Sequence, residues 1–395
     1  MAKIAILERK CTGCGVCAGS CPFGAIDMKD GKPELNAACK VCGVCVKACP
    51  EKAILKLETK TSSVDKSKWH DILVFAEVSG GRLHPVSLEL IGKGLELAKN
   101  VNYQVKAVLV GHGVSAFAEE LRHYGVSEVA VYDDPELSYF RADAYAACVE
   151  DYIKYAKPSV VLVGATSLGR SLAPRLSTRF HTGLTADCTR LELRENTDLV
   201  QIRPAFGGNI MAQIITTNTR PQFATVRYKV MNAPARNGEA SGAVVARKLP
   251  KAVADCKASC VSVTPIPPKK SISDAEVLVV GGRGLQKEAD LEMIKELAHL
   301  LGGDWATTRP LVEKGWNTND RQIGLSGRTV RPRLIITCGV SGAIQFTACM
   351  NGSDHIIAIN TDKDAPIFDV AHIAIVGDLY EIVPALIKQL KEARA

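Results

Sequence analysis

Two cysteine-rich runs at the start of the chain have the residue types and the spacing for iron–sulfur chemistry. Eight of the fourteen cysteines lie within the first 50 of 395 residues, in CTGCGVCAGSCP (residues 11–22) and CKVCGVCVKACP (residues 39–50). Each run reads C-x2-C-x2-C-x3-C-P, the arrangement in which bacterial proteins hold [4Fe–4S] clusters with thiolates. The sequence therefore predicts two such clusters.

The same spacing predicts which cysteines bind which cluster, because the fourth cysteine of each run binds the cluster of the other run. The two predicted ligand sets are Cys11, Cys14, Cys17 and Cys49 for one cluster, and Cys39, Cys42, Cys45 and Cys21 for the second. A disulfide framework would need an oxidising compartment, and zinc sites lack the terminal x3-C-P. The six other cysteines have no cluster spacing and are predicted to be buried thiols: Cys148, Cys188, Cys256, Cys260, Cys338 and Cys349.

Composition and charge limit the classes of function. The net charge is +7, and residues 1–68 carry twelve Lys/Arg against seven Asp/Glu. This surplus either compensates the anionic clusters or forms a docking surface for an acidic redox partner. Basic and acidic residues are interleaved and aromatic residues make up only 5%, so nucleic-acid binding is disfavoured. The opening MAKIAILERK has no apolar signal stretch, and no segment is suited to span a bilayer, so we expect a cytoplasmic protein.

Hydrophobic periodicity divides the rest of the chain into two α/β regions. After a cluster domain at residues 1–60 and a polar linker at 61–70, strand-like and helix-like segments alternate within a domain predicted at 71–245. Such alternation is typical of βαβ units around a parallel sheet, with ligands beyond the carboxyl ends of the strands. A connector at 246–272, which includes Pro265, Pro267 and Pro268, precedes the last domain at 273–395.

The last domain opens with a strand, a glycine turn and a helix. AEVLVV (residues 275–280) is followed by GGRG (281–284) and by KEADLEMIKELAHLL (287–301), in which Leu291, Ile294, Leu297 and Leu301 share one face. A helix that begins after such a turn can bind a phosphate through its N–H groups, here with Arg283 as counter-charge. Glycine turns between strand and helix are also common without any ligand, and the pattern is not GxGxxG.

Ordered motifs after residue 71 carry a family resemblance. GGRGL, TRPLVEKGW, SGAIQ, AINTDKDAPIF and VGDL resemble, in order and spacing, the flavin-domain signatures of the α subunit of electron-transferring flavoproteins (ETF). The resemblance covers the chain from Asp71 to its end and implies one bound FAD. Ordinary members of the family lack the cluster module, which is similar to that of α subunits in electron-bifurcating complexes. The implied fold is a ferredoxin-like (α+β) module, a parallel-sheet α/β ETF domain and a Rossmann-like FAD-binding domain.

The resemblance also implies roles for individual residues. Gly282 and Gly284 would let the backbone approach the pyrophosphate, which Arg283 would neutralise. Thr308 and Arg309 would lie against the flavin, and Ser326 would face its N5 atom. The complete set of implied FAD-binding residues is Gly282, Arg283, Gly284, Thr308, Arg309, Ile323, Gly324, Leu325, Ser326, Ser341, Gly342, Ala343, Ile344, Gln345, Phe346, Asn360, Asp378 and Leu379. Of these, Ser341 to Gln345 would surround the ribityl chain and ring, and Asn360 and Asp378 would hold the adenosine. For Asp378 a helix N-cap is the alternative.

Two further features bear on the flavins. The family's commoner SGAIQH ends in histidine where this chain has Phe346, which cannot donate a hydrogen bond toward the reduced ring. Arg170, Arg175 and Arg203 lie in stretches that resemble subunit-facing segments of the family. They would either reach an anionic flavin or nucleotide held by a β subunit or be solvated arginines.

These features predict an electron-transfer subunit that is not itself catalytic on an organic substrate. Its implied partners are an ETF β subunit with a second flavin, ferredoxin, and an acyl-CoA dehydrogenase-like flavoprotein in an NADH-dependent enoyl-CoA reductase complex. Flavin-based electron bifurcation is the expected process. The alternatives are a lactate dehydrogenase-like partner in a complex that consumes reduced ferredoxin, a plain ETF shuttle, and a non-redox protein that keeps its clusters as structural elements.

Overall fold

The computed structural model describes residues 3–57, 64–205, 210–264 and 270–394. The chain divides into two compact units, Met1–Val64 and Asp65–Ala395. None of the described helices is both long and apolar enough to cross a membrane. Part of the sequence-based linker at 61–70, residues 206–209, and Pro265, Pro267 and Pro268 of the connector at 246–272 lie outside the described residues.

The first unit repeats one small motif twice. Its elements are β1 (Lys3–Ile6), α1 (Val16–Gly19), β2 (Ile26–Lys29), β3 (Lys32–Leu35), α2 (Val44–Ala48) and β4 (Ile54–Leu57). β1 pairs with β4 and β2 with β3, both antiparallel. Ile4, Ile26 and Ile54 form the core together with the sulfur-bearing side chains of Cys17 and Cys45. So few apolar residues make a small core, and such domains usually need metal or disulfide cross-links.

The second unit begins with a seven-stranded sheet, here called sheet I. The elements of this half are β5 (Ile72–Ala76), β6 (Val78–Ser79), β7 (Arg82–Leu83), α3 (Pro85–Ala98), β8 (Val105–Gly111), α4 (Ser115–Leu121), β9 (Glu128–Asp133), α5 (Ala142–Ala156), β10 (Val160–Gly164), α6 (Ser167–Arg179), β11 (Leu184–Cys188), β12 (Arg190–Leu193), β13 (Leu199–Ala205), β14 (Ile210–Ile215), β15 (Gln222–Val226), β16 (Ala243–Ala246) and α7 (Lys251–Ala254). Sheet I is parallel, with the order β11-β15-β10-β5-β8-β9-β16. Side chains of α3 and α4 pack in one core of this half, and those of α5, α6 and α7 in another.

The remainder of the second unit contains a six-stranded sheet, here called sheet II. Its elements are β17 (Val277–Gly281), α8 (Leu291–Leu300), β18 (Asp304–Thr308), α9 (Arg309–Glu313), β19 (Gln322–Ile323), β20 (Leu334–Cys338), α10 (Ile344–Thr347), β21 (His355–Asn360), β22 (Ile373–Val376) and α11 (Leu379–Arg394). Sheet II is parallel, with the order β19-β18-β17-β20-β21-β22. Leu291, Ile294 and Leu297 of α8 are buried as their spacing predicts, whereas Leu301 caps the helix and is only partly buried.

The structure differs from the sequence-based expectation in three places. β12, β13 and β14 form a three-stranded antiparallel sheet that the sequence did not predict. Within the expected linker at 61–70, Lys66 forms a 2.7 Å ion pair with Asp198, and Trp69 packs against a core of sheet I. Within the expected connector at 246–272, α7 buries Val253 and a short turn buries Ile272, because both side chains are apolar and reach a core.

Candidate functional site

The eight N-terminal cysteines surround two separate cavities. One cavity is lined by Cys11, Cys14, Cys17 and Cys49, and the other by Cys21, Cys39, Cys42 and Cys45. The structure thus brings together the two crossed sets that the spacing predicts. Among the described residues, no three His, Cys, Asp or Glu side chains converge as the ligands of one ion do. Thiols spread around a cavity suit a cluster better than a zinc ion, whose four ligands must meet at one point.

The internal repeat explains how the crossing arises. Gly15 and Gly43 take positive φ angles of 73° and 81° directly before α1 and α2, which turns the chain so that Cys17 and Cys45 face inward. Beyond the helices, Cys21 and Cys49 each accept a 3.3 Å hydrogen bond at Sγ, from the N–H groups of Ala25 and Ala53. N–H···S bonds of this kind tune the reduction potential of a cluster. Burial raises the pKa of Cys17 and Cys45, so bound metal would have to stabilise their thiolates.

The predicted FAD residues surround the topological switch point of sheet II. The chain runs from the central strand β17 toward β18 on one side and later returns to β20 on the other. In open α/β sheets the crevice at such a point, beyond the carboxyl ends of the strands, is the usual ligand site. Gly282 to Gly284 follow β17, Ser341 to Gln345 follow β20, and Thr308 ends β18.

Two glycines of this crevice lie where the fold leaves no room for a side chain. The N–H of Gly282 donates to the carbonyl of Cys338, and the N–H of Gly284 donates to that of Gly339, both at 2.9 Å. A Cβ on Gly282 would lie 2.3 Å from the Gly339 oxygen, and one on Gly284 would lie 2.8 Å from the Gly339 Cα. The glycines therefore bring the β17 and β20 loops together, and their N–H groups are used within the protein.

Cationic side chains are available at the same edge. Arg283 is exposed and has no hydrogen bond or ion pair in the part of the chain that the structure describes. Arg309 is 66% exposed at its side chain and donates from Nε to Glu313 at 2.8 Å. Two arginines beside a glycine-lined crevice suit an anionic, phosphate-bearing ligand. The residues present therefore fit a dinucleotide such as FAD.

The loop that contains Ser326 is closed on itself and tied to the next loop. The Arg328 N–H donates to the Gln322 carbonyl at 2.7 Å, and Gln322 Nε2 donates to Ser326 Oγ at 2.8 Å. The Leu325 N–H donates to the Gln345 carbonyl at 3.0 Å. Ser326 is exposed at the surface of this loop. Its place opposite flavin N5 stays a prediction.

The remaining predicted FAD residues have protein partners of their own. Asn360 Nδ2 donates to the Val340 carbonyl at 2.8 Å, which joins the β21 and β20 loops. Asp378 Oδ1 accepts the Tyr380 N–H at 2.8 Å at the start of α11, which is the helix-cap role considered as the alternative. Leu379 and Phe346 are 6% and 5% exposed and pack in apolar cores. Any contact between Phe346 and a flavin stays a prediction.

Three arginines were predicted either to reach a ligand held by a β subunit or to be solvated. Two of them already form ion pairs with carboxylates of this chain. Arg170 contacts both oxygens of Asp187 at 3.1 Å, and Arg175 contacts Asp143 at 2.5 Å. Among the described residues, Arg203 donates a side-chain hydrogen bond only to the adjacent Pro204 carbonyl, at 3.3 Å. The prediction of buried thiols is correct for Cys148, Cys188, Cys338 and Cys349, but Cys256 is half-buried and Cys260 is exposed. Those two follow α7 in an irregular segment that gives them little cover.

One charged side chain beside the crevice is not among the residues predicted from the sequence. Arg227 follows β15 of sheet I, and its side chain is 11% exposed. It contacts Asp187 and, across the second unit, the carbonyl of Leu325. Together with the loop at 327–329 it lines a cavity of about 630 Å³. No short motif marks such a residue, because its partners are distant in sequence.

Comparison with known proteins agrees with this arrangement. Residues 10–54 match the 4Fe-4S dicluster domain family, residues 72–252 the electron transfer flavoprotein domain, and residues 271–351 the electron transfer flavoprotein FAD-binding domain. The chain is 51% identical over 374 residues to the lactate dehydrogenase (NAD(+),ferredoxin) subunit LctC of Acetobacterium woodii, covering 94% of this chain and 89% of LctC. It is 44% identical to the ETF α subunit of Clostridium acetobutylicum, covering 84% of this chain and 99% of that protein. The FixB protein of Azorhizobium caulinodans is 42% identical over 80% of this chain and 87% of its own length.

Fold and site together define an FAD-binding electron-transfer protein with a 4Fe–4S dicluster domain. The chain belongs to the electron transfer flavoprotein α-subunit family. The predicted family, fold class and cofactors are thereby confirmed. The exact ligand residues and domain boundaries remain predictions.

Proposed function

We propose that this chain is the α subunit of an ETF complex in which FAD and two clusters connect a β-subunit flavin, a partner dehydrogenase and ferredoxin. The extent of one match carries the proposal. The match to LctC covers 94% of this chain. The cluster unit, Met1–Val64, is longer than the part of the 395 residues that the match leaves uncovered. The similarity therefore extends into the cluster unit, as it would in a subunit of a ferredoxin-linked complex.

The organic partner has two candidates. The name of LctC states lactate, NAD+ and ferredoxin, which favours a 2-hydroxy acid dehydrogenase as the partner of this chain. An acyl-CoA dehydrogenase-like partner, the first expectation from the sequence, is the second candidate, because ETF α relatives are 42–44% identical. The first candidate would use reduced ferredoxin to oxidise the acid with NAD+. The second would divide the electrons of NADH between ferredoxin and an enoyl-CoA.

The chain's own residues would bind and tune the cofactors. FAD supplies one- and two-electron chemistry, and each cluster carries one electron at a time. Arg283 would hold the FAD pyrophosphate, and Arg309 would favour negative charge on the reduced ring. The cysteine quartets would hold the clusters, and the N–H groups of Ala25 and Ala53 would adjust their potentials. The chemistry on the organic substrate would belong to the partner dehydrogenase.

The test is to isolate the native complex under anaerobic conditions with its β subunit and its dehydrogenase. Lactate with NAD+ and reduced ferredoxin, and an enoyl-CoA with NADH and oxidised ferredoxin, would be assayed in parallel. The LctC-like function predicts NAD+ reduction by lactate that requires ferredoxin oxidation. Enoyl-CoA turnover alone would select the acyl-CoA partner. Absence of any ferredoxin dependence in both assays would reject the ferredoxin-linked function.

A further inference from the structure

The loop from Ile323 to Arg328 has one backbone group fixed by the other half of the second unit. The loop's hydrogen bonds to Gln322 and Gln345 come from the sheet II half. The carbonyl of Leu325, directly before Ser326, instead accepts a 2.6 Å hydrogen bond from Nη2 of Arg227. Arg227 lies 98 residues earlier in the chain, just beyond β15 of sheet I.

The guanidinium of Arg227 is held from several sides. Nη2 also contacts Asp187 Oδ2 at 3.0 Å, and Nη1 lies 3.9 Å from Cys349 Sγ. Asp187 itself has a positive φ of 57° at an irregularity in the β11 pairing, and its N–H donates to Thr225 Oγ1 at 2.9 Å. A non-glycine residue at positive φ is costly, and such strain concentrates at functional sites. The backbone thus holds this carboxylate beside the arginine.

The charges at this point do not cancel. Asp187 accepts from Arg170 and Arg227 together, so two guanidinium groups share one carboxylate. The Nε of Arg227 is buried without a hydrogen-bond partner in the described structure. A buried guanidinium nitrogen without a partner is expensive and calls for an explanation beyond folding stability. A surplus positive charge beside a flavin-binding loop would stabilise a reduced, more negative ring.

We propose that Arg227 is a positioning residue for the flavin. It fixes the Leu325 carbonyl, and with it the neighbouring Ser326, and its charge, only partly offset by Asp187, raises the potential of the FAD. This inference rests on the proposed FAD site. It adds Arg227, a residue of the sheet I half, to the flavin site. None of the recognised flavin motifs contains this residue.

The sign of the change in potential tests the proposal. The holoprotein with its β subunit would be titrated spectroelectrochemically, and the FAD dissociation constant would be measured separately. Arg227→Gln removes the cation and should lower the midpoint potential of the FAD. It should also raise the dissociation constant about tenfold, since a charge-assisted hydrogen bond is lost. Asp187→Asn removes the offsetting charge and should raise the potential. Damage to the fold alone would not shift the two variants in opposite directions.

Two further variants separate charge from position. Arg227→Lys keeps the charge but lacks the planar fork that reaches Asp187 and Leu325 together, so it should weaken FAD binding while largely keeping the potential. Arg236→Gln is the matched control, because Arg236 is a half-exposed arginine of the same half that pairs with Glu120 at 3.0 Å. It should change neither quantity.

Unchanged FAD potential and affinity in both Arg227→Gln and Asp187→Asn would overturn the proposal. If Arg227→Gln does not fold, Arg227→Lys and Asp187→Asn decide it by the same criteria. Wild-type protein that binds no FAD would instead reject the proposed function, so the two failures are distinguishable.

Discussion

At the scale of single residues, the ligand cysteines are the part of the site that the sequence specifies most fully. The C-x2-C-x2-C-x3-C-P spacing is typical of one ligand arrangement, so the two sets of ligand cysteines follow from the spacing alone. In the structure, Cys49 lines the cavity of the first run and Cys21 that of the second. What the spacing could not show is the matched pair of N–H···S bonds from Ala25 and Ala53.

Exchange of single cysteines tests the crossing. The anaerobically purified protein should contain about eight iron atoms per chain, four for each cluster. Cys21→Ser should disturb the same cluster as Cys42→Ser, although Cys21 lies in the other run, whereas Cys11→Ser should disturb the other cluster. Electron paramagnetic resonance of the reduced proteins distinguishes the two signals. A Cys21→Ser spectrum that matches that of Cys11→Ser would show that each run binds its own cluster.

A second residue-scale feature is a strained valine between two ligands. Val41 has a positive φ of 55°, and the equivalent position in the first run is Gly13, with φ of 75°. A β-branched residue is unfavourable there, whereas glycine is not. Val41→Gly should therefore stabilise the cluster unit by about 1 kcal/mol, once the greater freedom of glycine in the unfolded chain is subtracted.

The measurement is the denaturant concentration at which the absorbance of the clusters is half lost. The reciprocal change, Gly13→Val, should lower that midpoint, because a Cβ at Gly13 would lie 2.3 Å from the Gly31 oxygen. A Val41→Gly protein that loses its clusters more easily than the wild type would show that the valine side chain stabilises the unit by packing.

At the scale of elements, the flavin crevice depends on how closely two loops approach. The β17 and β20 loops meet at Gly284 and Gly339, where even a methyl group would collide with backbone. Gly284→Ala should therefore spread the loops and raise the FAD dissociation constant about tenfold or more, as overpacking of about 1–3 kcal/mol implies. Gly238→Ala is the control, since no atom lies within 4 Å of its added Cβ. Equal FAD affinity in both variants would show that the crevice does not need the contact.

At the scale of elements, the parallel sheets could be predicted from the sequence, but some other contacts could not. The βαβ alternation is periodic, so both parallel sheets and the edge that carries the FAD residues could be predicted. The β12–β14 sheet was not predicted, because its three strands lie in a region interpreted only through its family resemblance. The contact of Arg227 with Leu325 was missed for a different reason. It joins residues 98 apart and depends on how two sheets pack, which leaves no periodic signal.

At the scale of the whole molecule, the chain combines a cluster unit with a complete ETF α body. The C. acetobutylicum subunit is matched over 99% of its length by 84% of this chain, so an ETF α protein does not require the cluster unit to fold. The second unit has its own cores around both sheets. We therefore expect that removal of Met1–Val64 leaves FAD binding and β-subunit pairing in place.

The most direct measurement is the number of ferredoxin molecules that change oxidation state per organic substrate converted. It would be made with the complete complex and with a complex whose α subunit lacks Met1–Val64, after FAD content has been shown to be equal. The proposed function places the clusters on the path to ferredoxin. It therefore predicts a fixed ratio in the complete complex, and no substrate-coupled ferredoxin reaction without the cluster unit. The same ratio in both complexes would contradict it, because electrons would then reach ferredoxin without the clusters.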